Sequence, residues 1–297
     1  MSIITTFDTI KQYCAFNKQG ILHPHIALID LSLADPRKLQ RMQFNFYLIF
    51  LKEIRCGDLR YGCNTYDYDE GTLVFLAPGQ LIGQAGDEVY QPKGRALAFH
   101  PDFLLGTDLA GKMDEYSFFT YEASEALHLA EKERDLIEDL FRKITNELNQ
   151  SIDKYSKRLL INNLQLFLNY CIRFYDRQFI TRNSENRSVV VKFETLLNNY
   201  FRSVPGEQEG LPSVAYFADR LHLSPNYFGD LIKKETGKSP QEHLQLKLIA
   251  VAKERLFDPS RSISEIAYSL GFKHPQHFSR LFKKVEGVSP GSFRRAG

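Results

Sequence analysis

The sequence predicts an α+β protein: a β-rich N-terminal region with two long helices after it, and then an all-α C-terminal domain. Short apolar segments separated by Gly, Asn, Asp and Pro occur up to about residue 105 and indicate strands. From about residue 125, apolar residues recur at helical spacing. Near the C-terminus, one segment of helical and turn character occurs twice. The 297 residues are enough for two domains with separate cores.

Three segments of the first region have the composition of strands. Aromatic and branched residues dominate YLIFLKEIRCG at 47–57, TLVFLAPGQ at 72–80 and RALAFH at 95–100. Short strands at close spacing favour a small β-sandwich or barrel. We therefore expect a β-rich domain over residues 1–130.

The next region predicts two amphipathic helices, at about 131–150 and 155–178. Their apolar stripes are compatible with packing on their own domain and equally with a dimer interface, and both interpretations stay open. The residues that define the stripes are Leu136, Leu140, Ile144, Leu148, Leu160, Leu164, Phe167, Cys171 and Phe174.

Two polar stretches interrupt the helical pattern. TRNSENRS at 181–188 predicts a linker, and SVPGEQEGLP at 203–212 predicts a loop. Between them, VVVKFETLLNNYFR predicts a helix that packs under the first repeated segment. The expected division is a β-rich domain at 1–130, a helical region at 131–180, a linker at 181–188 and a C-terminal domain at 189–297.

The repeated segment is the most specific feature of the chain. Residues 214–240 recur as residues 263–290, with one additional residue in the turn of the second copy. Each copy predicts a short helix, a tight turn and a second helix with paired lysines near its end, which is the outline of a helix-turn-helix. Matching pairs are Ala218 and Ala267, Leu221 and Leu270, Phe228 and Phe278, Leu231 and Leu281, Gly237 and Gly287, and Pro240 and Pro290.

Helix starts in the second half are marked by capping residues. A serine followed by proline supplies a capping hydroxyl and a residue suited to the first helical position. A helix from Pro240 to about Phe257 would join the two copies rigidly. The Ser-Pro pairs begin at Ser224, Ser239 and Ser289, and capping boxes are expected for Ser239 with Glu242 and for Ser262 with Glu265.

Charge is unevenly distributed along the chain. Residues 211–297 hold 14 Lys/Arg against 8 Asp/Glu, although the whole chain has a net charge of only +2. This predicts a polyanionic partner for the C-terminal domain. The N-terminus lacks a leader pattern and no apolar stretch approaches a membrane span, so we expect a cytoplasmic protein without a membrane partner. The cysteines have neither paired CxxC spacing nor the density of a disulfide scaffold, so we expect them to be reduced and mostly buried. They are Cys14, Cys56, Cys63 and Cys171.

Over roughly residues 190–297, the sequence resembles the AraC family of bacterial transcription regulators. The resemblance implies double-stranded DNA as a partner, RNA polymerase as a second partner, and core positions for Phe278 and Phe282, with Gly287 ending the helix. The residues that carry it are Ile266-Ala267, Gly271-Phe272, the run from His277 to Lys284, Gly287, Ser289-Pro290 and Phe293-Arg294.

The resemblance also implies which residues face the DNA groove. In the second copy these are Gln276, Ser279 and Arg280, and in the first copy they are Asn226, Gly229 and Asp230. Arginine can bond guanine O6 and N7 together, and glutamine can pair similarly with adenine. Because Gly229 has no side chain and Asp230 would repel phosphate, we expect the second copy to read more bases, with Asn226 the candidate reader in the first.

Several basic residues are candidates for contacts to the DNA backbone or the groove entrance. Lysines near the end of each recognition helix could contact phosphates, or could simply be a solvated helix end that stabilises the dipole. The candidates are Lys233, Lys234, Lys273, His274, Lys283, Lys284 and Arg294.

By the same resemblance, the N-terminal region is expected to be a cupin-like sensor for a small-molecule effector, and the helices after it a dimer interface. The phrases GTLVFLAPGQ and FHPDFL carry this weaker likeness. Tyr61 and Tyr66 are candidates for a polar effector pocket, although aromatic residues of strands more often belong to the core or the surface.

The alternative is a cupin-like ligand-binding protein or metal-dependent enzyme with a C-terminal interaction module. His23, His25 and His100 could supply three imidazoles. The glutamate expected downstream of a His-x-His pair is missing, however, and the intervening proline favours a solvated loop. With no nucleophile or phosphate-binding motif, the sequence predicts no catalytic residue, metal or cofactor. The preferred hypothesis is a DNA-binding transcription regulator, with activation as the expected output and repression as the alternative.

Overall fold

The computed structural model describes residues 4–52, 71–83, 86–122, 125–181, 183–202 and 210–296. The chain forms two compact units, Met1–Thr181 and Arg182–Gly297, each with its own core. Of the helices in the described ranges, none has both the length and the apolar character needed to cross a membrane.

Unit 1 contains short strands arranged in three sheets. A five-stranded sheet has the order β10-β6-β5-β9-β2, a three-stranded sheet has the order β1-β4-β7, and β3 pairs with β8. The strands are β1 Ile4–Phe7, β2 Ile26–Asp30, β3 Arg37–Lys38, β4 Arg41–Phe44, β5 Tyr47–Lys52, β6 Thr72–Leu76, β7 Leu81–Ile82, β8 Val89–Tyr90, β9 Arg95–Phe99 and β10 Leu127–His128.

The three predicted strands form the centre of the larger sheet, where β5 pairs antiparallel with both β6 and β9. Because side chains alternate along a strand, Leu48 and Phe50 face the other sheets, while Ile49 and Leu51 face the opposite side. Leu48 lies in one apolar cluster with Phe44 of the smaller sheet. The prediction of a β-rich first region is confirmed.

Two long helices follow these sheets, close to the predicted bounds. The helices of unit 1 are α1 Ile10–Phe16, α2 Pro101–Leu104, α3 Glu131–Leu148 and α4 Ser156–Thr181. Phe141 of α3 stacks on Phe167 of α4 with centroids 5.3 Å apart. Gln178 ties α4 to β10, because its Oε1 accepts from the backbone N–H of His128 at 2.8 Å.

The predicted apolar stripes pack within unit 1. Every predicted stripe residue from Leu140 to Phe174 is buried, and Leu136 is half-buried. These residues are therefore used in the internal core of the unit. Cys14 and Cys171 are buried free thiols whose pKa values are raised by burial, whereas Cys56 and Cys63 lie outside the described residues.

Unit 2 is helical in all its described elements. Its helices are α5 Asn183–Arg202, α6 Val214–Arg220, α7 Pro225–Thr236, α8 Pro240–Leu256, α9 Ile263–Ser269, α10 Pro275–Glu286 and α11 Pro290–Ala296. The helix predicted under the first repeat is α5, and Phe193 of α5 contacts Phe217 of α6 and Phe228 of α7 with centroids 5.4 and 5.1 Å apart.

The boundary between the two units falls within the predicted linker at 181–188, and residues 183–188 form the first turns of α5. Polar residues are compatible with a helix when tertiary contacts hold it, and buried Asn186 donates from Nδ2 to Glu235 Oε1 at 3.2 Å. Of the predicted loop at 203–212, residues 203–209 lie outside the described residues.

The two repeated segments share one turn geometry. The backbone N–H of Leu223 donates to the Ala218 carbonyl at 3.0 Å, and the backbone N–H of Phe272 donates to the Ala267 carbonyl at 3.0 Å. The residue before this bond is left-handed in both copies: His222 has φ 56° and Gly271 has φ 94°. The helix-turn-helix outline is confirmed for both copies.

The two copies also meet at a junction on Gly210. A Cβ on Gly271 would lie only 2.6 Å from the carbonyl carbon of Gly210, so the second turn lies directly on the chain that leads into α6. The carbonyl of Gly210 accepts from the Tyr200 hydroxyl of α5 at 2.8 Å. The junction therefore joins α5, the first copy and the second copy.

The predicted helix caps are present. Ser224 Oγ accepts from the backbone N–H of Tyr227 at 3.3 Å, and Ser289 Oγ accepts from that of Ser292 at 3.1 Å. Both predicted capping boxes form. The backbone N–H of Ser262 donates to Glu265 and holds the pKa of that carboxyl below its ordinary value.

The core of the second copy is aromatic. Phe278 and Phe282 are fully buried, with ring centroids 5.7 Å apart. Phe278 also contacts Phe272, and Phe282 contacts Phe293 of α11, both at 5.5 Å between centroids. Gly287 ends α10 with φ 79°. These core and helix-end predictions are confirmed.

We expect Phe278→Ala to lower the free energy of unfolding by about 3–5 kcal/mol, because it leaves a cavity in this aromatic core. The measurement is urea unfolding followed by circular dichroism. Arg280→Ala is the matched control on the same helix, and as an exposed substitution it should change stability by less than about 0.5 kcal/mol. Equal stability of the two variants would contradict the assigned orientation of α10.

We expect Gly271→Ala to destabilise the protein by more than about 1 kcal/mol, because it combines a left-handed backbone with a clash against Gly210. The reciprocal change His222→Gly should stay within about 1 kcal/mol of the parent, because relief of the left-handed side chain offsets the added freedom of the unfolded chain. Thermal unfolding of both variants measures the difference. A Gly271→Ala protein as stable as the parent would show that the junction can open at no cost.

Candidate nucleic-acid interface

Helix α10 separates a core face from an exposed face. At 3.6 residues per turn, Gln276, Arg280 and Lys283 lie on one side, roughly opposite Phe278 and Phe282. The three polar residues are exposed, while both phenylalanines are fully buried. The aromatic core thus fixes which side chains the helix presents outward.

The predicted base-reading residues of the second copy are available at this surface. Gln276 and Arg280 make no hydrogen bond or ion pair with any other residue in the part of the chain that the structure describes. Ser279 is half-buried beside them. Arg280 therefore forms no surface salt bridge within the described residues.

The entrance of α10 is also exposed. Lys273 and His274 precede the helix, and the ring of His274 lies against that of His277 with centroids 5.4 Å apart. His274 occupies the N-cap position but makes no side-chain capping bond, unlike Ser224 at the start of α7. Its imidazole does not cover the N-terminus of α10.

The matching face of α7 exposes fewer polar side chains than that of α10. Asn226 is exposed, but Gly229 and Asp230 are half-buried. Tyr227 is buried at the position where the second copy has exposed His277. The first copy therefore presents fewer polar side chains and less positive charge than the second.

The paired lysines lie in the last turn of each helix. Lys233 and Lys234 of α7, like Lys283 and Lys284 of α10, are exposed, and each pair precedes a left-handed glycine that ends the helix. At this place a positive charge stabilises the helix dipole whether or not a phosphate is bound.

Arg294 faces the protein, in contrast to the predicted contact with the DNA backbone. It is half-buried, and its Nε donates to the carbonyl of Leu256 at 3.1 Å. Its Nη2 is buried and has no hydrogen-bond partner among the described residues. Arg294 therefore ties α11 to the C-terminal end of α8, where helix carbonyls lack intrahelical partners.

Two further contacts, which sequence reasoning missed, attach the second copy to α8. Arg255 Nη1 donates to the Ser269 carbonyl at 3.0 Å and to its hydroxyl at 2.8 Å. Lys253 Nζ lies 2.5 Å from Glu286 Oε2, the last residue of α10. The C-terminal ends of α9 and α10 are thereby both held against α8.

The first copy is held at the other end of α8. His243 Nε2 lies 2.8 Å from Thr236 Oγ1, at the end of α7, and its ring lies against Phe193 of α5 at 5.9 Å between centroids. Burial lowers the pKa of His243, and Glu194 partly opposes that effect.

The histidines considered for a metal site lie together but are not arranged as metal ligands. The ring centroids of His23 and His100 lie 6.1 and 5.9 Å from that of His25. His23 Nδ1 accepts from the backbone N–H of His25 at 3.1 Å, and His100 Nδ1 accepts from that of Asp102 at 3.2 Å. In His23 and His100, Nδ1 is therefore engaged by a local backbone N–H.

His23 and His25 lie in the loop before β2, as the sequence predicted, and both are half-buried beside α2. Burial lowers the pKa of His23, with smaller effects from His25 and Lys157. Within the described ranges, no group of three or more His, Cys, Asp or Glu is placed to hold a metal ion. The effector-pocket candidates Tyr61 and Tyr66 lie outside those ranges.

Comparison with known proteins locates the similarity in this unit. A model of the helix-turn-helix domain family matches residues 217–296. The regulatory protein YesN of Bacillus subtilis is 38% identical over 79 residues, which are 26% of this chain and 22% of YesN. The transcriptional activator RhaS of Pectobacterium carotovorum is 30% identical over 131 residues, which are 43% of this chain and 44% of RhaS. The chain thus spans less than half the length of either curated relative.

Among solved structures, the C-terminal domain of the response regulator AraT from Geobacillus stearothermophilus is similar to part of this chain. The match has 29% sequence identity and a TM-score of 0.33, and it covers 37% of this chain and 85% of the AraT domain. The resemblance found in the sequence is confirmed: residues 217–296 are a helix-turn-helix domain of the AraC type.

Proposed function

We propose that this chain is a sequence-specific DNA-binding transcription regulator that uses α7 and α10 as recognition helices. The observation that carries the proposal is the exposed polar face of α10, on which Gln276 and Arg280 have no partner among the described residues. The name of RhaS, a transcriptional activator, is consistent with activation as the output.

Base readout is assigned mainly to the second copy. Arg280 has the donor geometry to bond guanine O6 and N7 together, and Gln276 can bond adenine N6 and N7. In the first copy, Asn226 can read adenine in the same way. Asp230 can accept a bond only from a base donor such as cytosine N4.

Phosphate contacts position the helices and supply affinity that depends on salt. Lys273, Lys283 and Lys284 flank the base-reading face of α10, and Lys233 and Lys234 lie at the end of α7. The start of α10 carries no side-chain cap, but Pro275 has no N–H and the N–H of His277 donates to the His274 carbonyl, so the candidate backbone donor to a phosphate is the N–H of Gln276. Arg294 is left out of this set because it bonds Leu256.

Helix α8 fixes the distance between the two readers. Both copies are attached to it, the second through Arg255 and Lys253. The recognition helices then enter successive segments of the major groove, roughly 34 Å or one helical turn apart.

Control of this activity is assigned to unit 1, as a sensor for a small-molecule effector. Binding alters DNA affinity only if the effector prefers one of two arrangements of the protein. A homodimer and contact with RNA polymerase remain part of the proposal through the family resemblance. Pairing would have to use surfaces other than the stripe residues buried within unit 1.

Selection of bound duplexes from a randomised library by the full-length protein tests the proposal. We expect a motif with two blocks about one helical turn apart, and we expect the block assigned to α10 to be better defined. The selection is run at two salt concentrations, because binding through phosphates alone falls steeply with salt. Binding that yields no motif and vanishes at the higher salt would contradict sequence-specific recognition.

Arg280→Ala should weaken binding to the selected motif by about 1–3 kcal/mol and relax discrimination at one base pair. Lys284→Ala is the comparison, since loss of a phosphate contact should weaken cognate and random duplexes alike and reduce the salt dependence. Fluorescence anisotropy titrations with both duplexes measure the difference. If Arg280→Ala weakens both duplexes equally, Arg280 contacts the backbone and does not read a base.

A further inference from the structure

The exposed face of α10 includes His277, in the first turn of the helix. Since each residue turns the helix by about 100°, His277 lies about 60° from Arg280 on one side and Gln276 lies about 40° from it on the other. Ser279, which is half-buried, lies about 100° from Arg280. The face centred on Arg280 therefore includes His277 more fully than Ser279.

The matching positions of the two copies differ in burial. Because Phe228 matches Phe278, Tyr227 of α7 matches His277 of α10. Only 5% of the surface of Tyr227 is exposed, whereas His277 is an exposed residue. The first copy thus uses this ring in its core, and the second copy directs a polar ring outward. His277 is therefore available for contact with a ligand.

One neighbour restricts the imidazole of His277 and leaves its nitrogens available. The ring lies edge to face against that of His274, with centroids 5.4 Å apart and an angle of 76° between the planes. The backbone N–H of His277 donates to the His274 carbonyl at 3.0 Å. Neither ring nitrogen of His277 has a hydrogen-bond partner in the described part of the chain.

The chemistry of imidazole determines which base edge fits this side chain. A neutral imidazole has one N–H donor and one acceptor, and a protonated imidazole has two donors, so a donor is present in either state. In the major groove, guanine presents two neighbouring acceptors, O6 and N7, and no donor. Adenine presents a donor beside its N7, and thymine presents a methyl group beside its O4. Guanine is therefore the base that best fits a donor from His277.

The position of His277 along the helix is also suited to base contact. Recognition helices contact base edges through their N-terminal residues, and His277 is the third residue of α10. Gln276 points about 100° away around the helix, so the two side chains do not reach the same base. Cβ atoms three residues apart on a helix are about 5–6 Å apart, which corresponds to roughly one or two base-pair steps of about 3.4 Å.

We propose that His277 is a further specificity-determining residue of the second copy. Its imidazole donates to O6 or N7 of a guanine that lies roughly one or two base pairs from the base read by Arg280. The inference rests on the proposed DNA-binding function and adds one base contact to it. A contact of His277 with a phosphate would instead strengthen binding to every sequence.

Duplex selection by the full-length parent and by the His277→Ala variant tests this role. We expect the variant to lose a guanine at one position, roughly one or two base pairs from the position at which Arg280→Ala relaxes discrimination. Anisotropy titrations use duplexes with each of the four base pairs at that position. The preference for guanine should fall about three- to tenfold, as for the loss of one hydrogen bond. Affinity for random duplexes should change by less than about twofold, because no phosphate contact is lost.

A second substitution tests the chemistry of the contact. Glutamine keeps a donor and adds an acceptor, a pair that fits N7 and N6 of adenine, so His277→Gln should prefer adenine at the same position. Ser279→Ala is the matched control in the adjacent position of α10, and it should leave the guanine preference unchanged. Thermal unfolding verifies that each variant is folded. Loss of the preference in Ser279→Ala, with no loss in His277→Ala, would assign the base to Ser279 and overturn the proposal.

The parent and the His277→Ala variant give distinguishable outcomes. A parent protein that selects no motif would refute the regulator and the role of His277 with it. Identical motifs for the parent and the variant would keep the regulator and refute the role of His277. Equal weakening of cognate and random duplexes by the substitution would make His277 a backbone contact, and this result would also refute base reading.

Discussion

The attachment of two helix-turn-helix units to one helix is the constraint on which the C-terminal unit depends. At a rise of 1.5 Å per residue, the 17 residues of α8 span about 25 Å. His243, near the start of α8, supports the first helix-turn-helix copy, and Arg255, near the end of α8, supports the second copy. The proposed recognition of two groove segments needs a fixed separation, and a continuous helix supplies it more firmly than a loop could.

The two copies have kept the same turn and core but present different surfaces. Both turns close with a bond across the same positions, and both recognition helices bury aromatic residues. Their outward positions differ in charge, with Asp230 in the first copy and Arg280 in the second. The fold constrains what faces inward, while under the proposed function the DNA sequence to be read constrains what faces outward. A repeat can therefore preserve its architecture while dividing affinity and specificity unequally.

Local signals in the sequence predicted the helices of unit 2 well, because caps, proline positions and the repeat are determined within a few residues. The role of Arg294 could not be predicted, since its partner Leu256 is distant in the sequence and is a backbone carbonyl. The helical conformation of residues 183–188 could not be predicted for a related reason: these polar residues resemble a loop unless the contact of Asn186 with Glu235 is known.

The junction at Gly210 bears on how the C-terminal unit is assembled. Tyr200 of α5, the chain that leads into the first copy and the turn of the second copy all meet there. A repeat protein whose copies touch only through a shared helix could lose one copy and keep the other folded. Here the turn of the second copy also packs on the backbone at Gly210, so the copies have a connection besides α8. Loss of the second copy would expose this backbone, at the entrance to the first copy.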